Sequence, residues 1–99
     1  MADTGGLKSE LVQELAGLSR KHSVEKLLLF GSRARGDNKE RSDIDLAVYG
    51  GNAAAFALDA EEETNTLLMY DIVDMNAPVQ ESLRESIEDE GVLIYEKVR

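Results

Sequence analysis

Leucines at positions 7, 11, 15 and 18, with Val12 beside them, recur at the spacing of one helix face. The pattern predicts a first amphipathic helix over residues 7–21. Arg20, Lys21 and His22 fall near its end, where cations suit the helix dipole. The period then shortens. Residues 24–30 (VEKLLLF) are apolar and followed by glycine, which predicts a buried strand. Residues 33–36 read as a helical turn, and Asp37-Asn38 as loop. Residues 43–49 form a second predicted strand, stopped by Gly50-Gly51. Asn52 is placed to cap an alanine-rich helix that runs to about Thr66. Residues 68–75 (LMYDIVDM) read as a third strand. Pro78, the single proline, precedes a helix with Val79, Leu83 and Ile87 spaced by four. Gly91 ends that helix, and residues 92–95 make a short last strand.

The order α-β-β-α-β-α-β describes an α/β fold, a small mixed sheet of about four strands flanked by helices. The link between the first two strands is only about a dozen residues, too short for a full crossover, so that pair is expected to be antiparallel.

A length of 99 residues fits one domain, 1–99, with one modest core. Hydrophobic residues at 42% and charged residues at 31% are ordinary for a globular protein. The chain has no cysteine, which removes disulfides and thiolate metal sites and suits a reducing cytoplasm. The first residues lack the basic start and apolar stretch of a signal peptide, and no apolar run approaches the ~20 residues of a membrane span. The net charge of −9, from 20 acids and 11 bases, argues against binding to nucleic acid or an anionic membrane. Its distribution says more. Arg33, Arg35, Lys39 and Arg41 face only Asp37 and Glu40 within residues 33–41. This one basic segment could take a small anionic ligand.

That segment ends on Asp43-Ile44-Asp45. In a strand the two acids project from one side, with Ile44, Leu46 and Val48 on the other. Carboxylates ~6.6 Å apart repel by about 2.5 kcal/mol at an effective dielectric of ~20. A divalent cation reverses that sign, and oxygen ligands with room for water and phosphate are what Mg²⁺ prefers. The third strand holds Asp71 and Asp74, of opposite parity, so only one can share a face with the Asp43/Asp45 pair. Asp71 lies deep in the apolar run and is favoured as the third ligand. Asp74 is the alternative, nearer the strand end.

Gly31-Ser32 precedes the basic segment. A strand, a Gly-Ser corner and a short helix can hold phosphate: glycine permits close approach, the first N–H groups point outward, and the dipole favours an anion. Ser32 adds a hydroxyl donor, and Arg33 and Arg35 can add charge-assisted hydrogen bonds. Alone, such a corner is usually only a turn. Gly-Ser followed after ten residues by Asp-x-Asp is more specific.

The string GSRARG…SDIDLAV resembles the signature of the polymerase-β-like nucleotidyltransferases, and within them the minimal nucleotidyltransferases (MNT family) of bacteria and archaea. The likeness covers most of the chain and implies the nucleotidyltransferase fold. It implies that Gly31 and Ser32 hold the triphosphate of ATP, with Arg33 and Arg35 auxiliary. Asp43 and Asp45 would bind two Mg²⁺ ions. Asp71 would complete the first metal site and help take the proton from the attacking hydroxyl. AMP would be transferred to an acceptor. Many MNT proteins pair with a HEPN-domain protein, and some are antitoxins that adenylylate it, so a HEPN partner is expected. Two other readings stand beside this one: transfer to a small hydroxylated molecule such as an aminoglycoside, and a non-catalytic module that neutralises its partner by contact.

The remaining polar features have plainer readings. His22 at a helix end reads as a cap or a solvated side chain, Glu61-Glu62-Glu63 and Glu81/Glu85/Glu88 as solvated helix faces, and Tyr49, Tyr70 and Tyr95 as core or edge positions.

Overall fold

The computed structural model describes residues 6–98. Eight elements follow in the order α1 (Ser9–Lys21), β1 (Lys26–Phe30), α2 (Gly31–Arg35), β2 (Ile44–Tyr49), α3 (Ala53–Glu63), β3 (Tyr70–Asp74), α4 (Glu81–Glu90) and β4 (Val92–Glu96). The four strands form one sheet in the order β3-β2-β1-β4. The expected mixed sheet with flanking helices is present. β1 pairs antiparallel with both β2 and β4, whereas β2 and β3 run parallel. The short β1–β2 connection thus gives the antiparallel pair, and α3 supplies the crossover that a parallel pair needs.

Alternation along the strands sorts side chains into two layers. Leu27, Leu29, Ile44, Leu46 and Val48 are buried on one face beneath Leu11, Leu15 and Leu18 of α1 and Phe56 and Ala60 of α3. Leu28, Phe30 and Ala47 face the other way and pack with Met75 and with Ile87 of α4. Each fully buried side chain of this size contributes about 1.5–3 kcal/mol, so the α1/α3 layer carries most of the stability.

Element ends differ from the sequence expectation for identifiable reasons. Helix α1 starts at Ser9, yet Leu7 stays buried at the margin of the core. Asn52 caps α3 as expected, its side-chain oxygen accepting from Ala55 N–H at 3.1 Å. In α4 the spacing by four overstates the buried face: Ile87 is buried, Leu83 is exposed, and Val79 lies ahead of the helix. This helix meets the sheet around a single turn. Among the described residues, no helix is long and apolar enough to cross a membrane.

Candidate active site

Strand β1 ends at Phe30, and the chain turns at once into α2. Gly31 makes that turn with φ +74°, a left-handed conformation that side chains disfavour. A second constraint acts at the same residue. A Cβ on Gly31 would collide with the Asp45 carboxylate. Helix α2 therefore starts two residues earlier than the expected turn at 33–36, because the glycine enters it directly. Gly36, at φ +84°, closes it with its N–H on the Ser32 carbonyl. Ser32 lies half-buried in the first turn.

The sheet register brings the two halves of the sequence motif together. Phe30 is the cross-strand partner of Asp45, which places Gly31 against the Asp45 side chain. On the other side of β2, Asp45 is paired with Asp71 of β3. The row across the sheet is thus Phe30, Asp45 and Asp71, and Gly31, one residue on, lies against the Asp45 carboxylate. Asp43 just precedes β2 and is exposed, with Ile44 between it and Asp45 fully buried in the opposite layer.

The electrostatics follow from this placement. Burial pushes the Asp45 carboxyl above its ordinary value, and the charges of Asp71 and then Asp43 push it further. Arg35 and Arg33 act in the opposite direction and do not cancel the shift. Asp45 is thus partly desolvated among like charges, the condition under which a carboxylate gains most from a cation.

The two arginines are used differently. Arg33 is only 3% exposed. Its guanidinium donates to the Ser42 carbonyl from Nε (3.1 Å) and Nη2 (3.0 Å), and from Nη2 to the Glu40 carbonyl (3.1 Å). It ties α2 to the loop that delivers Asp43, instead of standing in solvent as a loop arginine would. The Ser42 hydroxyl accepts from Lys39 N–H at 2.8 Å and tightens the same loop. Arg35 is exposed and pairs with Asp37 (3.3 Å) and with Glu90 of α4 (3.1 Å). Surface pairs of this kind are worth roughly 0–1 kcal/mol, so an incoming phosphate could take the guanidinium at small cost.

Asp74 has another use. Its register partner is Val48, which lies in the α1/α3 layer, so the parity argument separates it from Asp45. Its side chain accepts from Asn76 N–H at 2.9 Å and shapes the turn after β3. The β2–β3 ladder begins at the Ile44–Tyr70 pair, whose parallel bond runs from Ile44 N–H to the Met69 carbonyl at 2.8 Å.

Asp43, Asp45 and Asp71 supply the hard oxygen donors that Mg²⁺ prefers, and the raised Asp45 marks a locus short of positive charge, so the residues fit that ion in donor chemistry. Among the described residues no three acidic or histidine side chains stand close enough together to hold a metal as they are.

Comparison with known proteins gives a consistent picture. The family described as polymerase beta, nucleotidyltransferase, matches residues 13–99. A protein of Methanocaldococcus jannaschii, provisionally named a protein adenylyltransferase, is 34% identical over 82 residues, covering 73% of this chain and 79% of that protein. Among solved structures, a toxin–antitoxin complex with AMP-PNP contains a chain that superposes with a TM-score of 0.66 at 21% identity, covering 87% of this chain and 73% of the other. A toxin–antitoxin named MntA-HpeT, with two aspartates replaced by glutamate, gives 0.65 at 19% identity and the same coverage. At these identities the structural likeness speaks for the fold.

Proposed function

The chain belongs to the polymerase-β nucleotidyltransferase family and is a nucleotidyltransferase, and we propose that it moves AMP from ATP to a hydroxyl of a partner protein. The observation that carries this reading is the placement of Gly31 against the Asp45 side chain with Asp71 paired beside Asp45, which brings the glycine corner and the carboxylates together. Asp43, Asp45 and Asp71 would hold two Mg²⁺ ions. When bound, these supply the positive charge that lowers the pKa of the acceptor hydroxyl and offsets the triphosphate. Gly31 and Ser32 bind and orient the phosphates, with Arg35 free to leave its surface acids for them. Arg33 steadies the loop carrying Asp43 and adds positive charge nearby. Asp71 takes the acceptor proton. The acceptor oxygen forms a bond to the α-phosphorus, the bond from that phosphorus to the bridging oxygen breaks, and pyrophosphate leaves with the electron pair.

We take the partner to be a toxin, and specifically a HEPN-domain protein, with this chain as its antitoxin. Two lines support a protein acceptor and a toxin partner: the relative carries a protein adenylyltransferase name, and the fold neighbours are toxin–antitoxin complexes; the HEPN class rests on the resemblance to the MNT family alone. A reaction that consumes ATP fits the cytoplasm, where we set it.

The test is direct. The protein, Mg-ATP and the product of the adjacent gene are mixed, and the partner is weighed by mass spectrometry. Addition of AMP is expected, and loss of it in Asp43→Ala and Asp45→Ala. A complex that forms without any transfer, and is indifferent to both substitutions, would show a contact inhibitor instead.

A further inference from the structure

Arg35 stands one helical turn after Gly31, which lies against the Asp45 carboxylate. Residues four apart share a helix face, so Arg35 sits on the side of α2 that meets the acids. Its charge is felt there. Of the two arginines, Arg35 draws the Asp45 carboxyl down the more strongly. Yet this cation is already held. Its Nε donates to Asp37 Oδ2 at 3.3 Å, and its Nη1 to Glu90 Oε2 at 3.1 Å. Arginine grips a phosphate best through two parallel N–H bonds. Asp37 occupies one member of the Nε/Nη2 edge and Glu90 one member of the Nη1/Nη2 edge, so neither edge is whole.

The two acids differ in how they are fixed. Asp37 is exposed and lies two residues on, in the loop that follows α2. Glu90 comes from the far end of α4, where the backbone is wedged. Ile87 is fully buried with Leu28 and Phe30. Gly91 donates to the Ile87 carbonyl at 2.8 Å, and a Cβ there would run into Leu28. Strand β4 begins at once, with Val92 paired to Leu29. Glu90 is therefore an anion fixed beside α2.

Its own helix gains nothing from it. The last turn of α4 carries Glu88, Asp89 and Glu90 and no base, at the end where the helix dipole favours cations. The pair with Arg35 recovers little, because its side chains are 45% and 36% exposed. Stability does not account for a glutamate at this position.

We infer that Glu90 is a competitor built into the chain: it holds the guanidinium that the triphosphate needs, weakens Mg-ATP binding, and retakes Arg35 as pyrophosphate leaves. This deepens the proposed nucleotide site and rests on that reading. Glu90 sets affinity through Arg35 and does not touch the reacting atoms. The sign of its effect is the distinguishing mark. A partner that merely oriented Arg35 would strengthen nucleotide binding, whereas a competitor weakens it.

The probe is Mg-ATP, titrated calorimetrically into the full chain at low salt. Glu90→Gln should lower its dissociation constant about threefold, the gain open to a freed surface pair. Magnesium pyrophosphate, which presents phosphates without a nucleoside, should gain as much. Asp89→Asn removes the same charge one residue away, with no bond to Arg35, and should leave both constants unchanged. In an Arg35→Gln background Glu90→Gln should do nothing, because the pair it breaks is already gone. Both side chains reach solvent, so the variants keep the core. A raised dissociation constant in Glu90→Gln would show an orienting role, and an unchanged one would show that Arg35 meets no phosphate. Either result overturns the competitor, as does an equal gain in Asp89→Asn, which is bulk charge alone. Failure of the nucleotide reading looks different: Mg-ATP would then give no heat and leave the Gly31 amide unmoved in the parent and in every variant, and the competitor would fall with it.

Discussion

Asp45 and Asp59 serve the same sheet, and their surroundings push them in opposite directions. Asp59 of α3 lies 2.7 Å from His22 Nε2 and 3.0 Å from Lys21 Nζ, at the end of α1. An ionised carboxylate can only accept, so the imidazole carries its proton on Nε2. The hydrogen bond from His22, then that from Lys21, holds the Asp59 carboxyl below its ordinary value. Asp45 instead meets a half-dry strand face and two further acids, and its carboxyl is raised. A carboxylate among donors ties α1 to α3. A carboxylate among carboxylates is held ready for more positive charge than Arg35 and Arg33 supply, and stability is given up for it.

Substitution should separate the two roles, and the largest effect falls at Asp45. Asp45→Asn should lower AMP incorporation by about 10³-fold or more, since the metal's charge stabilisation is worth several kcal/mol. The same variant, without metal, should melt no lower than the parent, because a repulsion has been removed. A clear drop in its metal-free melting temperature would break the comparison. Gly31→Ala comes next. It combines strained backbone with a collision at Asp45, at a cost of about 1–3 kcal/mol in urea unfolding. Adding Asp45→Gly should return the collision part and leave the backbone part. Asp59→Asn should lower the melting temperature while leaving AMP transfer unchanged.

The smallest effect is in pH dependence, and its sign is the sharpest discriminator. Asp59 has a lowered carboxyl, so its stabilisation is present above the unfolded pKa and is lost as pH falls through the folded one. Asp45 has a raised carboxyl, so the native state keeps its proton longer. Its contribution therefore falls as pH rises from the unfolded pKa to the folded one. Urea midpoints between about pH 3 and 7 should lose the rising component in Asp59→Asn and the falling component in Asp45→Asn. Mg²⁺ should suppress the falling component in the parent only.

Much of this contrast was legible in the sequence, but only one side of it. Leu11, Leu15 and Leu18 announced the α1 face through a 3.6-residue period, and Ile44, Leu46 and Val48 set the parity of β2 through a period of two. Parity also separated Asp71 from Asp74, which register then placed on different faces. The His22–Asp59 pair was not legible, since 37 residues separate partners that only the packing of α1 on α3 brings together. Arg33 misled for a related reason. Its guanidinium bonds to carbonyls whose direction depends on the folded loop, and a sequence says nothing of carbonyl direction. Of the spaced trio Val79, Leu83 and Ile87, Ile87 is buried and Val79 packs on the same layer from ahead of α4, while Leu83 is exposed, so the spacing promised one contact too many.

The mixed direction of the strands also sets an order of assembly. Gly31 and Asp45 are joined by a short antiparallel connection, so their half of the site closes over a small loop. Asp71 comes from a parallel strand and arrives only after the whole of α3 has crossed the sheet. A nascent chain holding β1 and β2 alone would carry the Gly31-Ser32 corner and two acids, without the third. The repulsion among the three is thus deferred until α3 has buried Phe56 and Ala60 against the sheet, when the hydrophobic layer is in place to bear it.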